Sequence, residues 1–357
     1  PSALLDGTDD VFAGSGKGKG KGGGGNTANL AGGSYTISVT NNIAANGFPR
    51  GTIQADIIIA GGKGKGKGCV SSPVQDCDRI LVLSSTGSFE GTQRAIDAII
   101  LVPAPGVGAV YMMDGTDVPP SEIVEIEDLD TAAGAEINGN DCNPPNAGGG
   151  PGPGPDVVGV AVQQADAVSN LEADIGVGNP GVIGVNGTGD IQVVPDAMND
   201  VDFQAWVTSL LAMATPVGTG ACGPEAVPAP RTVGTWANPQ ICSVPSLGAD
   251  LSTFIPDGST GAGILIINDF DPNGAIVAAD ITDFTYEGIV IVLGDGRFRM
   301  SGTSRIYGTL IQKNIKQEHS GETRLRMRDD SQICYSSRAI RTVQDVMILD
   351  LLAWYER

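Results

Sequence analysis

Three glycine-led apolar runs constrain this chain more than any other feature. Between Gly261 and Gln312 the runs are Ile264-Leu265-Ile266-Ile267, Ile289-Val290-Ile291-Val292-Leu293 and Gly308-Thr309-Leu310-Ile311. The glycines that open them (Gly263, Gly288, Gly308) lie 25 and 20 positions apart. Runs this short, rich in β-branched residues and bounded by Gly, Asp and Asn, read as strands rather than helices. Arg297-Phe298-Arg299-Met300 alternates polar and apolar, as a strand with one buried face does. A repeat near twenty residues points to successive turns of chain stacked so that each buries its apolar face on the next. The expectation is a β-solenoid-like, parallel β-helix domain; a β-sandwich with accidental spacing is the alternative.

Composition agrees with a mainly β chain. Only 5% of the 357 residues are aromatic and 52 are glycine, which favours many turns and narrow aliphatic cores over a helical bundle. The length suits two domains or one large β-domain. A net charge of −20 repels nucleic acid and anionic lipid, so neither is an expected partner. Against that background Arg324, Arg326, Arg328, Arg338 and Arg341 crowd the carboxy-terminal end. They suggest a contact with an acidic neighbour such as another copy of the chain, or a solvated strand face.

No apolar run approaches the ~20 residues that span a bilayer. No signal peptide is visible, and the abrupt start at Pro1 points to a processed or untraced amino-terminal part. The six cysteines include no CxxC pair, and His319 is the single histidine, which argues against zinc, iron–sulfur and haem. Cys69 with Cys77 and Cys222 with Cys242 would close local loops, leaving Cys142 and Cys334 as a long-range pair, although connectivity is not readable from spacing. Disulfides imply an oxidising, extracytoplasmic setting.

Taken in order, residues 1–28 are a Gly/Lys-rich flexible segment, with GSGKGKGKGGGGN at 14–26 and a second tract, GGKGKGKG, at 61–68. The first tract lacks the Ser or Thr and the leading strand of a phosphate loop. From Gly33 the chain alternates cleanly; Ile53–Ala60, Arg79–Leu83 and Arg94–Leu101 follow as strands, so 29–103 reads as a small antiparallel sheet module. The remainder, 107–357, reads as the solenoid-like domain. Pro119–Asp130 is a strand candidate and Pro144–Pro155 a proline-rich loop. Two helical insertions are predicted near 161–175 and 202–215, the second from Phe203, Trp206, Val207, Leu210, Leu211 and Ala214, stopped by Pro216 and Gly218.

The order GGSYTISVT, then DRILVLSSTGSFEGTQRAIDAII, resembles the globular head of PilX-like type IV pilins. GAGILIINDF…YEGIVIVLGDGRFRMSGTSRIYGTLIQ and the ending around Tyr335-Ser336-Ser337 and Leu352-Ala353-Trp354-Tyr355-Glu356 resemble that family's carboxy-terminal β-rich region. The family's apolar amino-terminal helix is missing from this sequence, and the insertion at 61–77 departs from its pattern. The resemblance implies an extracellular structural and interaction protein. It would be a subunit of a type IV pilus-like cell-surface filament, contributing to assembly or adhesion. Its partners would be other pilin-like subunits or copies of itself, with a tip adhesin or surface glycan beyond them. A sheath or surface-layer subunit is a further alternative.

The chemistry-bearing candidates are few. Asp280, Asp283, Glu287, Asp295 and Arg297 would serve a secreted, polysaccharide-cleaving or carbohydrate-binding β-helix if two carboxylates stood ~5–9 Å apart; otherwise the acids are turn residues bonded to local backbone. Asp269, Asp271 and Asn273 are candidate calcium ligands in an Asx-rich turn without EF-hand spacing. His319 sits in the polar turn Lys316–Gly321, where nothing points to a buried Ser or Cys for it to activate. Asn186-Gly187-Thr188 fits an N-glycosylation sequon, a pattern that means little in a bacterium. The expectation is therefore a protein that is not an enzyme and takes no cofactor other than calcium.

Overall fold

Alternation of β-branched and polar residues at Gly33–Asn41 and Ile80–Phe89 favours a pleated, half-buried surface, and these segments form a sheet. Strands β1 (Asn26–Leu30), β2 (Gly33–Asn41), β3 (Ile80–Phe89) and β4 (Thr92–Leu101) pair in order, all antiparallel. The two-residue connections β1–β2 and β3–β4 fix their registers. The carboxy-terminal strand Asp350–Glu356 completes this sheet on β4, with a bulge between Leu351 and Ala353. The sequence reading placed that strand in the second region; its alternation announces a strand but carries no information about which edge accepts it.

The computed structural model describes residues 26–30, 33–41, 80–89, 92–101, 107–113, 124–194, 200–224, 229–244, 250–269, 279–294, 297–313, 323–344 and 350–356. The chain divides into two units, Pro1–Pro103 with Leu349–Arg357, and Ala104–Ile348. The strand expected at 53–60, residues 14–25 and 61–68 of the Gly/Lys tracts, Cys69, Cys77, Asp271, Asn273, Asp295 and His319 lie outside the described residues, whereas Asn26–Ala28, expected to end the flexible segment, open β1.

The second unit is built almost wholly of parallel pairs. Its elements, in chain order, begin with β5 (Gly108–Met113), β6 (Val124–Glu127), β7 (Glu136–Asn138), β8 (Val158–Val162) and helix α1 (Ala165–Ile175). Next come β9 (Val182–Gly184), β10 (Gly187–Thr188), β11 (Ile191–Val193), helix α2 (Asp200–Met213), β12 (Thr215–Pro216), β13 (Thr232–Val233) and β14 (Gln240–Val244). Then β15 (Thr260–Asp269), β16 (Ala279–Thr282), β17 (Thr285–Gly294), β18 (Arg297–Ser301), β19 (Arg305–Lys313), β20 (Thr323–Met327), β21 (Gln332–Tyr335) and helix α3 (Ser337–Gln344). Thus the unit is mainly β, and the helices expected near 161–175 and 202–215 are α1 and α2.

Long strands β15, β17 and β19 pair parallel and in register, so that Gly263 stands beside Gly288 and Gly288 beside Gly308. At these positions φ is +130°, +144° and +143°, values that L side chains rarely adopt. A Cβ on any of the three would collide with backbone of the preceding strand, the carbonyl oxygens of Gln240, Gly263 and Gly288 respectively. In β15 and β19 the halves before and after the glycine column find different partners, β13 and then β14 for β15. Before the column β19 pairs with β21; after it, with β5. Short strands β16, β18, β20 and β6 form a second parallel sheet in that order.

The order of pairing does not follow the order of sequence. The segment 108–193 supplies β5 to β11, α2 follows, and the segment 215–335 then adds strands whose last members, β19, β20 and β21, pair with β5, β6 and β7. Strand β21 is flanked by β19 on one side and β7 on the other.

One core lies between the sheets. Tyr286, Val290, Val292, Ile306 and Leu310 face Ile281, Phe298, Met300, Leu325 and Met327, all buried; each large aliphatic side chain so removed from water contributes about 1.5–3 kcal/mol. Because alternate residues point to opposite faces, Ile264, Ile266, Ile289, Ile291, Leu293 and Ile311 face the other way. A second core covers them, formed by Phe203, Trp206, Val207 and Leu210 of α2 and Ile340 and Val343 of α3. Both faces of these strands are therefore buried, which is why they read as continuous aliphatic runs.

Candidate functional site

The outward face of the β16–β18–β20–β6 sheet carries the charge. Register places Asp280, Arg299, Arg326 and Glu127 in one row across it, and Arg297, Arg324 and Glu125 in the next. Arg324 spans two carboxylates, with Nε 2.7 Å from Glu125 Oε2 and a terminal nitrogen 2.7 Å from Glu127 Oε1. Arg326 and Arg328 both hold Asp128, and together their guanidinium groups keep its carboxyl below the usual range. Arg299 reaches Asp280 at 3.5 Å. Asp174, in the last turn of α1, is pushed the opposite way: burial raises it first, then the charge of Glu125.

The carboxylates expected to carry chemistry are held by framework groups. Asp283 occupies a corner between β16 and β17 at φ +54°. Its Oδ1 accepts the Thr303 backbone N–H at 2.8 Å and the Thr303 hydroxyl at 3.0 Å, and these bonds lower its pKa. A glycosidase acid needs its carboxyl raised. Glu287, 3% exposed, accepts the Asn146 backbone N–H at 3.2 Å and its side-chain amide at 3.0 Å. Asp280 is engaged with Arg299 on the outer face of the second sheet. The backbones of Arg297 and Asp269 belong to β18 and β15, and their side chains lie outside the described residues.

The densest constellation surrounds Asp141, which sequence reasoning missed. This carboxylate is 5% exposed. It accepts the Ser337 backbone N–H at 2.7 Å, the Ser337 hydroxyl at 2.8 Å, and the Gly154 backbone N–H. Ser337 opens α3, so Asp141 satisfies an orphan donor at that helix start from a segment nearly two hundred residues away. Ser336 Oγ accepts the Ala339 N–H at 3.2 Å in the same turn. The adjoining Cys142 is bonded to Cys334 of β21, and Cys222 to Cys242 of β14. Tyr335 packs beside this hub; burial, then the charge of Asp141, raises its hydroxyl to about 12.

A signal for α3 was present. Ser336 stands at a cap position, and Ala339, Ile340 and Val343 fall at helical spacing behind it. Asn146 carried none, because its partner Glu287 is 141 positions away. Among the described residues no group of three or more His, Cys, Asp or Glu is arranged to hold a metal ion. Nor is any described helix long and apolar enough to cross a membrane.

The chain matches no family model and no curated protein. Among solved structures it is similar to the competence-associated pilin ComZ from Thermus thermophilus, at 12% identity over 92% of this chain and 84% of that one, with a TM-score of 0.18.

Proposed function

We propose that the chain is an extracellular structural subunit, a pilin-like component of a cell-surface filament that assembles with other such subunits, and not an enzyme. The observation that carries this reading is the use made of its carboxylates. Asp128, Asp141, Asp283 and Glu287 each bind a backbone N–H, an amide or an arginine of the framework. Carboxylates so engaged stiffen a scaffold, and Asp128 and Asp283 are shifted downward, whereas a catalytic acid faces a substrate with its pKa raised. The two disulfides suit an oxidising exterior. The PilX-like pattern in the sequence supplies the filament class.

The reading extends to architecture. With the strands bent at the glycine column, the second unit is a three-sided parallel β-helix: one side before the glycines, one after them, and the β16–β18–β20–β6 sheet as the third. Helices α2 and α3 cover the second side, leaving the charged third side for neighbours.

Immunogold electron microscopy of the source cells, with antibody against the purified chain, tests the functional reading. Label along surface filaments is the expected result. Label confined to the cytoplasm, or release of shortened products when the chain is incubated with a polysaccharide panel, would overturn it.

A further inference from the structure

Asn186 begins the only Asn-X-Ser/Thr sequence of the chain in which X is not proline, Asn186-Gly187-Thr188. It stands at the tip of a hairpin: Gly184 pairs with Gly187, leaving Val185 and Asn186 as a two-residue turn between β9 and β10. Residues 185 to 188 are all exposed. The amide is held in place without being covered. Its Nδ2 donates to Asp190 Oδ1 at 3.1 Å, and its backbone N–H donates to Oδ2 at 3.3 Å. Asp190 itself is 5% exposed and also accepts from Gln192 at 2.5 Å.

A second, independent observation concerns the surface around it. Of the described residues, four large hydrophobics are exposed, and three lie in this stretch: Val177 at 79%, Val185 at 55% and Val193 at 37%. Val185 adjoins Asn186. Val177 is brought beside the hairpin because Gly178 packs against Gly189 so closely that a Cβ on Gly189 would collide with it. Scattered apolar side chains need no explanation, but Val185 and Val177, exposed side by side with Asn186, mark a surface that something covers.

We propose that Asn186 carries an N-linked glycan whose first sugars lie over Val185 and Val177. In the transfer, Asn186 Nδ2 forms a bond to the anomeric carbon of a polyisoprenyl-phosphate-linked oligosaccharide. The bond from that carbon to the phosphate oxygen breaks, the lipid phosphate leaves, and one amide proton passes to the transferase. The glycosylated amide keeps one hydrogen, and the backbone N–H of Asn186 keeps its bond to Asp190. The proposal rests on the extracytoplasmic reading and on a source cell whose transferase reads Asn-X-Ser/Thr, because such transfer takes place on chains that have left the cytoplasm.

Mass spectrometry of the Asn186 peptide, from the full chain isolated from its source cells, decides the matter. The expected peptide is heavier by a sugar chain in the native protein and in Thr188→Ser. Thr188→Ala, which leaves the Asn186–Asp190 bonds untouched, loses at least tenfold in occupancy. An unmodified native peptide overturns the proposal wherever the chain is found, and so does undiminished occupancy in Thr188→Ala. Protease accessibility on intact cells separately reports whether the chain is outside.

Discussion

Cys334 on β21 is bonded to Cys142, just beyond β7, across 192 positions of sequence. The two strands they belong to or follow are hydrogen-bonded neighbours, Gln332 to Cys334 lying beside Glu136 to Asn138. The bridge therefore closes the seam at which the late segment 215–335 meets the early segment 108–193.

Removing that bridge should cost more than removing the local one. Chain-entropy arguments give ~5 kcal/mol for a loop of this span and ~3 kcal/mol for the 20-residue separation of Cys222 and Cys242. We expect Cys142→Ser/Cys334→Ser to lower the urea midpoint further than Cys222→Ser/Cys242→Ser. Equal midpoints would show that the seam is held by packing alone.

The glycine column gives a sharper expectation. Gly288→Ala places a Cβ against the Gly263 carbonyl at φ +144°. Strain and overpacking together cost roughly 3–5 kcal/mol. Soluble yield and urea denaturation followed by circular dichroism should register a severe loss. Gly87→Ala, where nothing lies within 4 Å of the added carbon, should change little.

Much of this was legible. The period of the glycines and the runs behind them follow from sterics and burial, both local properties, and the structure aligns those glycines side by side. The two predicted helices announced themselves by spacing. What could not be read was long-range: that β21 slots between β19 and β7, that the last strand joins β4, that Asp141 caps α3. Each is a choice of partner among many chemically equivalent edges and donors, and no local pattern encodes it. Glu287 shows the same limit. Its neighbours in sequence suggested chemistry, and its actual partner is Asn146.

Trp206 tests the role of α2. Its ring is 1% exposed and lies edge-on to Phe203, with centroids 6.1 Å apart. Truncation to alanine should cost about 3–5 kcal/mol, read as a fall in the urea midpoint. Loss of binding to a surface glycan with an unchanged midpoint would instead make it a ligand platform.

Two carboxylates should respond to pH with opposite signs. Asp128 has a folded pKa below its unfolded value, so its contribution is present above the unfolded pKa, near 3.9, and is lost as pH falls through the folded one. Asp174 has a raised folded pKa. Between the two values the native state binds the extra proton, so stability rises as pH falls through the folded pKa and declines as pH rises through the same window. Asp174→Asn should therefore be more stable than the parent at pH 7 and converge with it near pH 3, whereas Asp128→Asn should be less stable at pH 7 and converge only below the depressed pKa. Thermal melts across this range check both. A parent and an Asp174→Asn curve that run parallel from pH 7 to pH 3 would show that Glu125 and burial exert no net pressure on that carboxyl, and that Arg324 neutralises the pair of glutamates beside it.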